Sequence, residues 1–320
     1  MKAIVCTSYG PPDSLELLER EKPSPKDHEV LIRVHAASVN ALDWRPFTMP
    51  LLMRRLLGRG WRQPKNTTGG ADVAGQVEEV GAAVTQFRPG DAVFGLLGLK
   101  GGAFAEYACA SEERLVSKST NVSFETAAAV PVAALTALHG VRDEGKVKPG
   151  HRVLVNGSGG GVGTFSVQIA KAFGAEVTAV CSARNQEVAR SIGADHVVDY
   201  MREDPTRSGH RYDVILAVNG YHSMFDYKRA LTPTGVVVVL GGSASQLIQG
   251  ALFPLLLRDK RIRGVMARPN QQDLVVLKEL LETGKIVSVI DRTYSLADVP
   301  AAISYLLDGH SRGKVVISVL

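Results

Sequence analysis

Apolar positions in the first third of the chain come in short runs, each broken after a few residues by turn-forming polar ones. "KAIV", "VLIRVHA", "AGQVEEVG", "DAVFGLL" and "AFAEYACA" read as short β-strands, and "GPPD" (Gly10–Asp13) and "RPGD" (Arg88–Asp91) read as turns between them. Many short strands at this spacing predict a barrel or sandwich extending to about residue 122.

Near residue 123 the pattern changes. "SFETAAAVPVAALTALHGV" is Ala-rich and predicts helix, with Ser123 at its start. "HRVLVNGSGGGVGTFSVQIAKAFGAEVTAVCS" then reads as strand, Gly-rich turn, helix and strand. Phe165, Ile169, Ala172 and Phe173 recur at helical spacing, and Gly174 sits where a C-terminal cap belongs. "HVVDY", "YDVILAV" and "GVVVVLGG" continue the strands, with a helix at "FDYKRAL". These strands lack polar alternation, as expected of a parallel sheet covered on both faces. A helix at "QDLVVLKELLETG" and a strand at "VISVL" close the chain.

The turn "NGSGGGVG" (Asn156–Gly163) lies between strand and helix, where glycines let the backbone approach a phosphate and the helix N-terminus attracts it. Ser158, Gly160 and Gly163 occupy the three positions of the dinucleotide-binding pattern, so Ser158, Gly159, Gly160, Gly161 and Val162 are candidate cofactor-binding residues. After the second strand an NAD-preferring unit carries Asp or Glu. Here the sequence is "CSARN": Ser182 and Arg184 suit a 2′-phosphate, so NADPH is the expected cofactor.

The stretch "SVNALDW" (Ser38–Trp44) ends an apolar strand in short polar side chains facing a metal, a substrate or the next turn. The cysteines, Cys6, Cys109 and Cys181, form no CxxC pair or disulfide framework, and HExxH is absent. The chain has 320 residues, an apolar fraction of 45% and a formal charge of +5. These values fit a globular protein with two domains or one large α/β unit, and they favour anionic ligands without pointing to nucleic acid. No run is long enough for a membrane-spanning helix and no targeting segment is evident, so the cytoplasm is the expected compartment.

Taken in order, "RPGDAVFG", "AAAVPVAALTAL", "SGGGVG" and "GADHVVDY" resemble the medium-chain dehydrogenase/reductase superfamily over essentially the whole chain, and most closely its zinc-independent quinone oxidoreductase branch. The resemblance implies an α/β fold in which a doubly wound Rossmann sheet (residues 123–263) is inserted into a GroES-like β-barrel domain (1–122), with 264–320 returning to that domain. It also implies an active site in the cleft between the two domains and a homodimer. Zinc-dependent members hold their metal through a Cys, the His of a "GHE" motif, and a further Cys or Asp. The matching positions here are Asn40, Ala71 (in "GAD", where Asp72 replaces Glu) and a place near Val132, so no zinc is expected. The four-Cys lobe is replaced by "FGLLGLKGGAFAEY".

Without a Lewis acid the implied chemistry is direct hydride transfer from NADPH to a quinone or an α,β-unsaturated carbonyl. An enoyl-thioester reductase, or an NADPH-binding protein with little turnover, is the alternative. By resemblance Asn40 and Thr136 are the catalytic candidates, with Asn40 donating to an acceptor carbonyl or to the nicotinamide ribose. Tyr200 lies near the 2′-phosphate, Lys314 near the cofactor, and Gly241 and Gly242 where nicotinamide approaches. Asp43 is read as a structural group that holds the turn. The chain departs from the branch's "NPxDW" at Ala41 and from its "ASGGVG" at Gly159, where a serine hydroxyl is lost. The basic, apolar segment Trp44–Asn66 reads as a lid over the cleft, a packed helix, or a peripheral contact with an anionic membrane surface.

Overall fold

The computed structural model describes residues 1–7, 10–43, 68–98, 101–219, 222–241, 260–265, 270–309 and 311–320. The segment Trp44–Asn66 and Gly242 lie outside the described residues. Two units are defined: Met1–Val132 with Pro269–Glu282 and Ile290–Leu320, and Ala133–Arg268 with Thr283–Val289.

In the first unit β1 (Lys2–Cys6) pairs with β2 (Leu15–Glu19) as an antiparallel ribbon. The main sheet is built on β3 (Glu29–Val39), whose burial leaves only Arg33 exposed. Antiparallel to it run β4 (Asp72–Val80), β6 (Tyr107–Ser111) and the C-terminal β15 (Lys314–Ser318). The strands β5 (Ala92–Leu96) and β7 (Leu115–Ser117) extend the sheet beyond β4, and β14 (Ile290–Ser295) lies parallel to β15 at the other edge. Bulges at Leu31/Ile32 and Val34/Ala36 bend β3, which pairs with β6 over its first half and with β15 over its second. The core beneath holds Ile32, Val34, Val73, Val93, Leu115 and Val315.

The Ala-rich run predicted as one helix forms two, α1 (Phe124–Ala128) and α2 (Pro131–Leu138), followed by a π-helical turn at His139–Glu144. Proline lacks an N–H and disfavours helical backbone at the residue before it, so Pro131 opens a new helix. The Ser123 hydroxyl accepts from Thr126 N at 3.1 Å and caps α1, which packs on β3 and β4. The first unit therefore runs past residue 122 and the chain changes unit inside α2.

The second unit is a six-stranded, wholly parallel sheet: β8 (Arg152–Asn156), β9 (Glu176–Cys181), β10 (His196–Asp199), β11 (Tyr212–Ala217), β12 (Leu231–Val239) and β13 (Ile262–Gly264). Its order, β10-β9-β8-β11-β12-β13, reverses at β8 and leaves a switch point between β8 and β11. The helix α3 (Gly161–Ala172) buries Phe165 and Ile169 of its predicted apolar face, whereas Ala172 is exposed and Phe173, just past its end, is half-buried; Gly174 closes it at φ +81°. The shorter helices α4 (Gln186–Ser191) and α5 (Met224–Arg229) complete the unit. In the first unit α6 (Gln271–Glu282) and α7 (Val299–Leu307) flank β14 in the chain. Among the described residues no helix is long and apolar enough to cross a membrane.

Between α6 and β14 the chain makes an excursion, Thr283–Val289, that belongs to the second unit. The buried Gln168 side chain on α3 holds it by mimicking a strand: Nε2 donates to Val287 O at 3.0 Å, and Oε1 accepts from Val287 N at 2.7 Å. Gln168→Leu keeps the volume but leaves both backbone groups without their partner. It is expected to cost about 1–3 kcal/mol in urea denaturation and to speed hydrogen exchange at the Val287 amide. Unchanged exchange there would remove the clamp's role.

Candidate functional site

Parallel pairing brings the carboxyl ends of β8, β9 and β10 side by side, with Asn156 in register with Val180 and Cys181 with Asp199. The predicted cofactor residues of the second unit converge on this edge: the Gly-rich turn follows β8, Ser182 and Arg184 follow β9, and Tyr200 follows β10. Gly157, not Ser158, makes the tight turn. Its φ is +95°, and a Cβ there would come within 2.7 Å of Asn219 N, just beyond β11 at the switch point. Gly163 packs under the Gly157 carbonyl with no room for a side chain, whereas a Cβ on Gly160 would meet nothing within 4 Å. These are the separate requirements of a phosphate-binding turn: a sharp bend, an open approach and close helix packing.

The Ser158 hydroxyl donates to Val180 O at 3.0 Å, and the backbone N–H groups of Gly157 and Ser158 converge on the same carbonyl. Ser158 thus ties the turn to β9. The α3 N-terminus has Gly160 at its cap and no side-chain cap, which leaves the first-turn N–H groups directed at the open side. Ser182 is half-buried, and Arg184 and Tyr200 are exposed. The carboxylate nearest this edge, Asp199, accepts from Met201 N at 3.0 Å. Gly241 follows β12, where a Cβ would stand 2.8 Å from Val218 O, and Thr136 is buried on α2.

A second polar centre lies wholly within the first unit. Asp72, at the start of β4, is fully buried. Its Oδ2 accepts from Ser38 Oγ at 2.5 Å and Asn40 Nδ2 at 2.8 Å, and its Oδ1 accepts from Val132 N at 2.9 Å. Lys314, 3% exposed at the start of β15, places Nζ 3.6 Å from Asp72 Oδ2 and donates to Asn40 Oδ1 at 2.5 Å and Val39 O at 3.4 Å. Asp43 holds the turn: Oδ2 accepts from Asn40 N at 2.7 Å and Oδ1 from Gly70 N at 3.2 Å. The positions matched to the metal ligands of zinc-dependent relatives, Asn40, Ala71 with its neighbour Asp72, and Val132, do come together here.

Burial sets the electrostatics. It raises the Asp72 carboxyl above its ordinary range, against the pull of Lys314, and lowers the Lys314 ammonium. Burial first and the Asp72 charge second push Asp43 up to about 7. Asn40, read from resemblance as a donor to substrate, directs Nδ2 at Asp72 and more distantly at Ser38, while Oδ1 accepts a hydrogen bond from the Lys314 ammonium. Its amide is a bridge between anion and cation. Lys314 is likewise engaged inside the first unit.

Zinc needs three or four N, S or carboxylate ligands. This centre offers an amide, a hydroxyl, an ammonium that repels a second cation, and two carboxyl groups, Asp72 and Asp43, whose oxygens already accept from Ser38, Asn40, Val132 and Gly70. Among the described residues no cluster of His, Cys, Asp and Glu could hold a metal. The residues therefore do not fit zinc.

Comparison with known proteins agrees with this fold. Residues 26–120 match the family model for the alcohol dehydrogenase GroES-like domain, and 192–317 the model for a zinc-binding dehydrogenase. The chain is 34% identical to the chloroplast envelope quinone oxidoreductase homolog of Arabidopsis thaliana, with 99% of this chain and 98% of that one covered. It is 32% identical to the chloroplastic NADPH-dependent alkenal/one oxidoreductase of the same plant, covering 99% of this chain and 79% of that one. Among solved structures, the quinone oxidoreductase from Coxiella burnetii superposes with a TM-score of 0.87 at 29% identity, covering 100% of this chain and 99% of that one. The chain belongs to the medium-chain dehydrogenase/reductase superfamily, in its quinone oxidoreductase branch. The GroES-like domain and the Rossmann-like parallel sheet are the two parts of that fold.

A carboxyl held near 7 in the folded chain and near 3.8 when unfolded binds its proton more tightly in the folded state. The stability it contributes is complete below pH 4 and lost as pH rises through 7. Asp43→Asn does not titrate, so its cost in denaturant unfolding is expected to be smaller at pH 8 than at pH 5. A cost that stays constant or grows with pH would contradict the buried, proton-holding Asp43.

Proposed function

We propose that the chain is a zinc-independent, NADPH-dependent reductase that passes hydride to quinones or α,β-unsaturated carbonyls. The observation that carries this reading is the first unit's polar centre. Where zinc-dependent relatives place a metal, Asn40 bridges Asp72 and the Lys314 ammonium. A group with no Lewis acid suits acceptors that are already electron-poor and need no metal to polarise them. The names of the plant and Coxiella relatives, quinone and alkenal/one oxidoreductases, support the same acceptor class.

NADPH, when bound, would supply the hydride and solvent one proton, so that the acceptor gains the equivalent of two hydrogens. The protein holds and orients. The first-turn N–H groups of α3 receive the pyrophosphate, and the open side of Gly160 admits it. Ser182, Arg184 and Tyr200, at the ends of β9 and β10, would hold the 2′-phosphate, and Asp199 there accepts from its own backbone at Met201 N. Asn40 works as a positioning residue that fixes the Asp72–Lys314 pair, and Thr136 is the candidate beside the nicotinamide.

Stopped-flow oxidation of bound NADPH tests the reading. Rapid oxidation by a quinone or an enone is expected; oxidation by crotonyl-CoA alone would make the chain an enoyl-thioester reductase. Oxidation by none of the three would make it a cofactor-binding protein. Arg184→Ala is expected to raise KM for NADPH at least tenfold, the scale of one lost charge-assisted contact, and to leave KM for NADH unchanged. Equal KM values for both cofactors in the parent and in Arg184→Ala would remove the NADPH preference.

A further inference from the structure

A polar pair sits in an otherwise apolar part of the second unit's core. Tyr227, on α5, is fully buried and shares its core with Leu154, Val180, Ile215 and Val237. Its hydroxyl accepts from Asn156 Nδ2 at 2.6 Å, and Asn156, the last residue of β8, is itself buried. Tyr227 is fixed in turn: its N–H donates to Ser223 O at 3.2 Å, and its ring meets His222 edge-on with the centroids 5.7 Å apart. Ser223 and Asp226 close the start of α5 with a reciprocal pair of hydrogen bonds. A buried polar pair adds little net stability over an apolar pair of the same shape; what it adds is one defined position.

The position defined is that of Asn156, on which the ends of three strands depend. The Asn156 carbonyl accepts from Val218 N at 3.0 Å and from Asn219 N at 3.2 Å, so it carries the segment that follows β11. Ala217, in register with Asn156, accepts at its carbonyl from Leu240 N at 2.9 Å, at the end of β12. The segment after β11 is wedged between two glycines. A Cβ on Gly157 would stand 2.7 Å from Asn219 N, and one on Gly241 would stand 2.8 Å from Val218 O. Val218 and Asn219 therefore act as a spacer between the phosphate turn and Gly241.

We infer that Tyr227 is a positioning residue: through Asn156 it fixes the Val218–Asn219 spacer, and with it the separation of the phosphate turn after β8 from Gly241 after β12, where the nicotinamide end is read to lie. This rests on the reading of the second unit as a pyridine-nucleotide site and adds to that site a residue that touches no ligand. A dinucleotide spans both places. An error in their spacing lets one end seat only at the expense of the other, so the whole ligand is held less well. A ligand confined to the adenosine end does not meet that error.

The test is equilibrium binding of NADPH, NADH and 2′,5′-ADP to the full chain by calorimetry, with thermal melting alongside. Tyr227→Phe keeps the ring and leaves Asn156 Nδ2 without its partner. It is expected to weaken NADPH and NADH by the same factor, roughly fivefold, and to leave 2′,5′-ADP unchanged. Asn156→Leu combined with Tyr227→Phe makes both partners apolar, keeps the branching of residue 156 and is expected to melt no lower than the parent. A pair that served stability alone would let this double variant bind as the parent does. The positioning role predicts that its affinity for both dinucleotides stays low while 2′,5′-ADP binds as in the parent. Equal losses for all three ligands in Tyr227→Phe, or parental affinity for NADPH and NADH in either variant, would overturn the assignment. No readout here uses turnover, so a parent that binds NADPH but reduces no quinone or enone defeats the reductase reading and leaves the Tyr227 comparison standing; a parent that binds no dinucleotide defeats both.

Discussion

The Asp72 carboxylate is the constraint around which the first unit is organised. It has no contact with water, and it gathers groups from three separate parts of the chain: Ser38 and Asn40 at the end of β3, Val132 in α2, and Lys314 at the start of β15. An isolated buried carboxylate is too costly to persist; one that is hydrogen-bonded and faces a buried ammonium can. Removing one partner from such a cluster is more damaging than never having built it, so these residues stand or fall together. The long strand β3, the return of the C-terminus as β15 and the start of α2 all meet here. The same arrangement answers what Ser38, Asn40 and Asp43 face. Ser38 and Asn40 face Asp72, and Asp43 faces the backbone N–H groups of Asn40 in its own turn and of Gly70.

The second unit rests on a different kind of constraint, one of space. Gly157 and Gly163 admit no side chain because backbone atoms lie where a Cβ would be, whereas Gly160 is bare on its outer side. The turn is locked underneath and open above, and the uncapped end of α3 supplies the positive side. Ser158, which stands first in the sequence pattern, is a fastener whose hydroxyl reaches back to Val180. A phosphate site built this way is mostly backbone, and its selectivity is left to the residues after β9 and β10.

Much of this was legible in the chain. The strand, Gly-rich turn, helix and strand at 152–181 is local, and the apolar spacing of α3, the Gly174 cap and the unalternating parallel strands each carry a short-range signal. The flanking motifs also brought Asn40, Ala71–Asp72 and Val132 to one place. What was not legible is non-local. The tight-turn role of Gly157 depends on the backbone of Asn219, which no spacing reveals. Tyr227 looks like an ordinary core aromatic until its bond to Asn156 is seen. The strand β14 is largely polar, and the leucines of β2 are mostly exposed, so neither shows the buried apolar run used to find the others. The excursion at 283–289 is tied to α3 by Gln168, more than a hundred residues earlier. The direction of the Asn40 amide needed Lys314, which the resemblance placed by the cofactor and the fold places against β3.

Metal stoichiometry measured together with turnover tests the central claim most directly. The chain is dialysed against chelator, then against zinc, and its zinc content is read by inductively coupled plasma mass spectrometry while NADPH-dependent reduction of a quinone or enone is followed in both states. A centre held by Asn40, Asp72 and Lys314 predicts no stoichiometric zinc and equal turnover before and after. One zinc per chain, with turnover lost on its removal and restored on its return, would contradict the account.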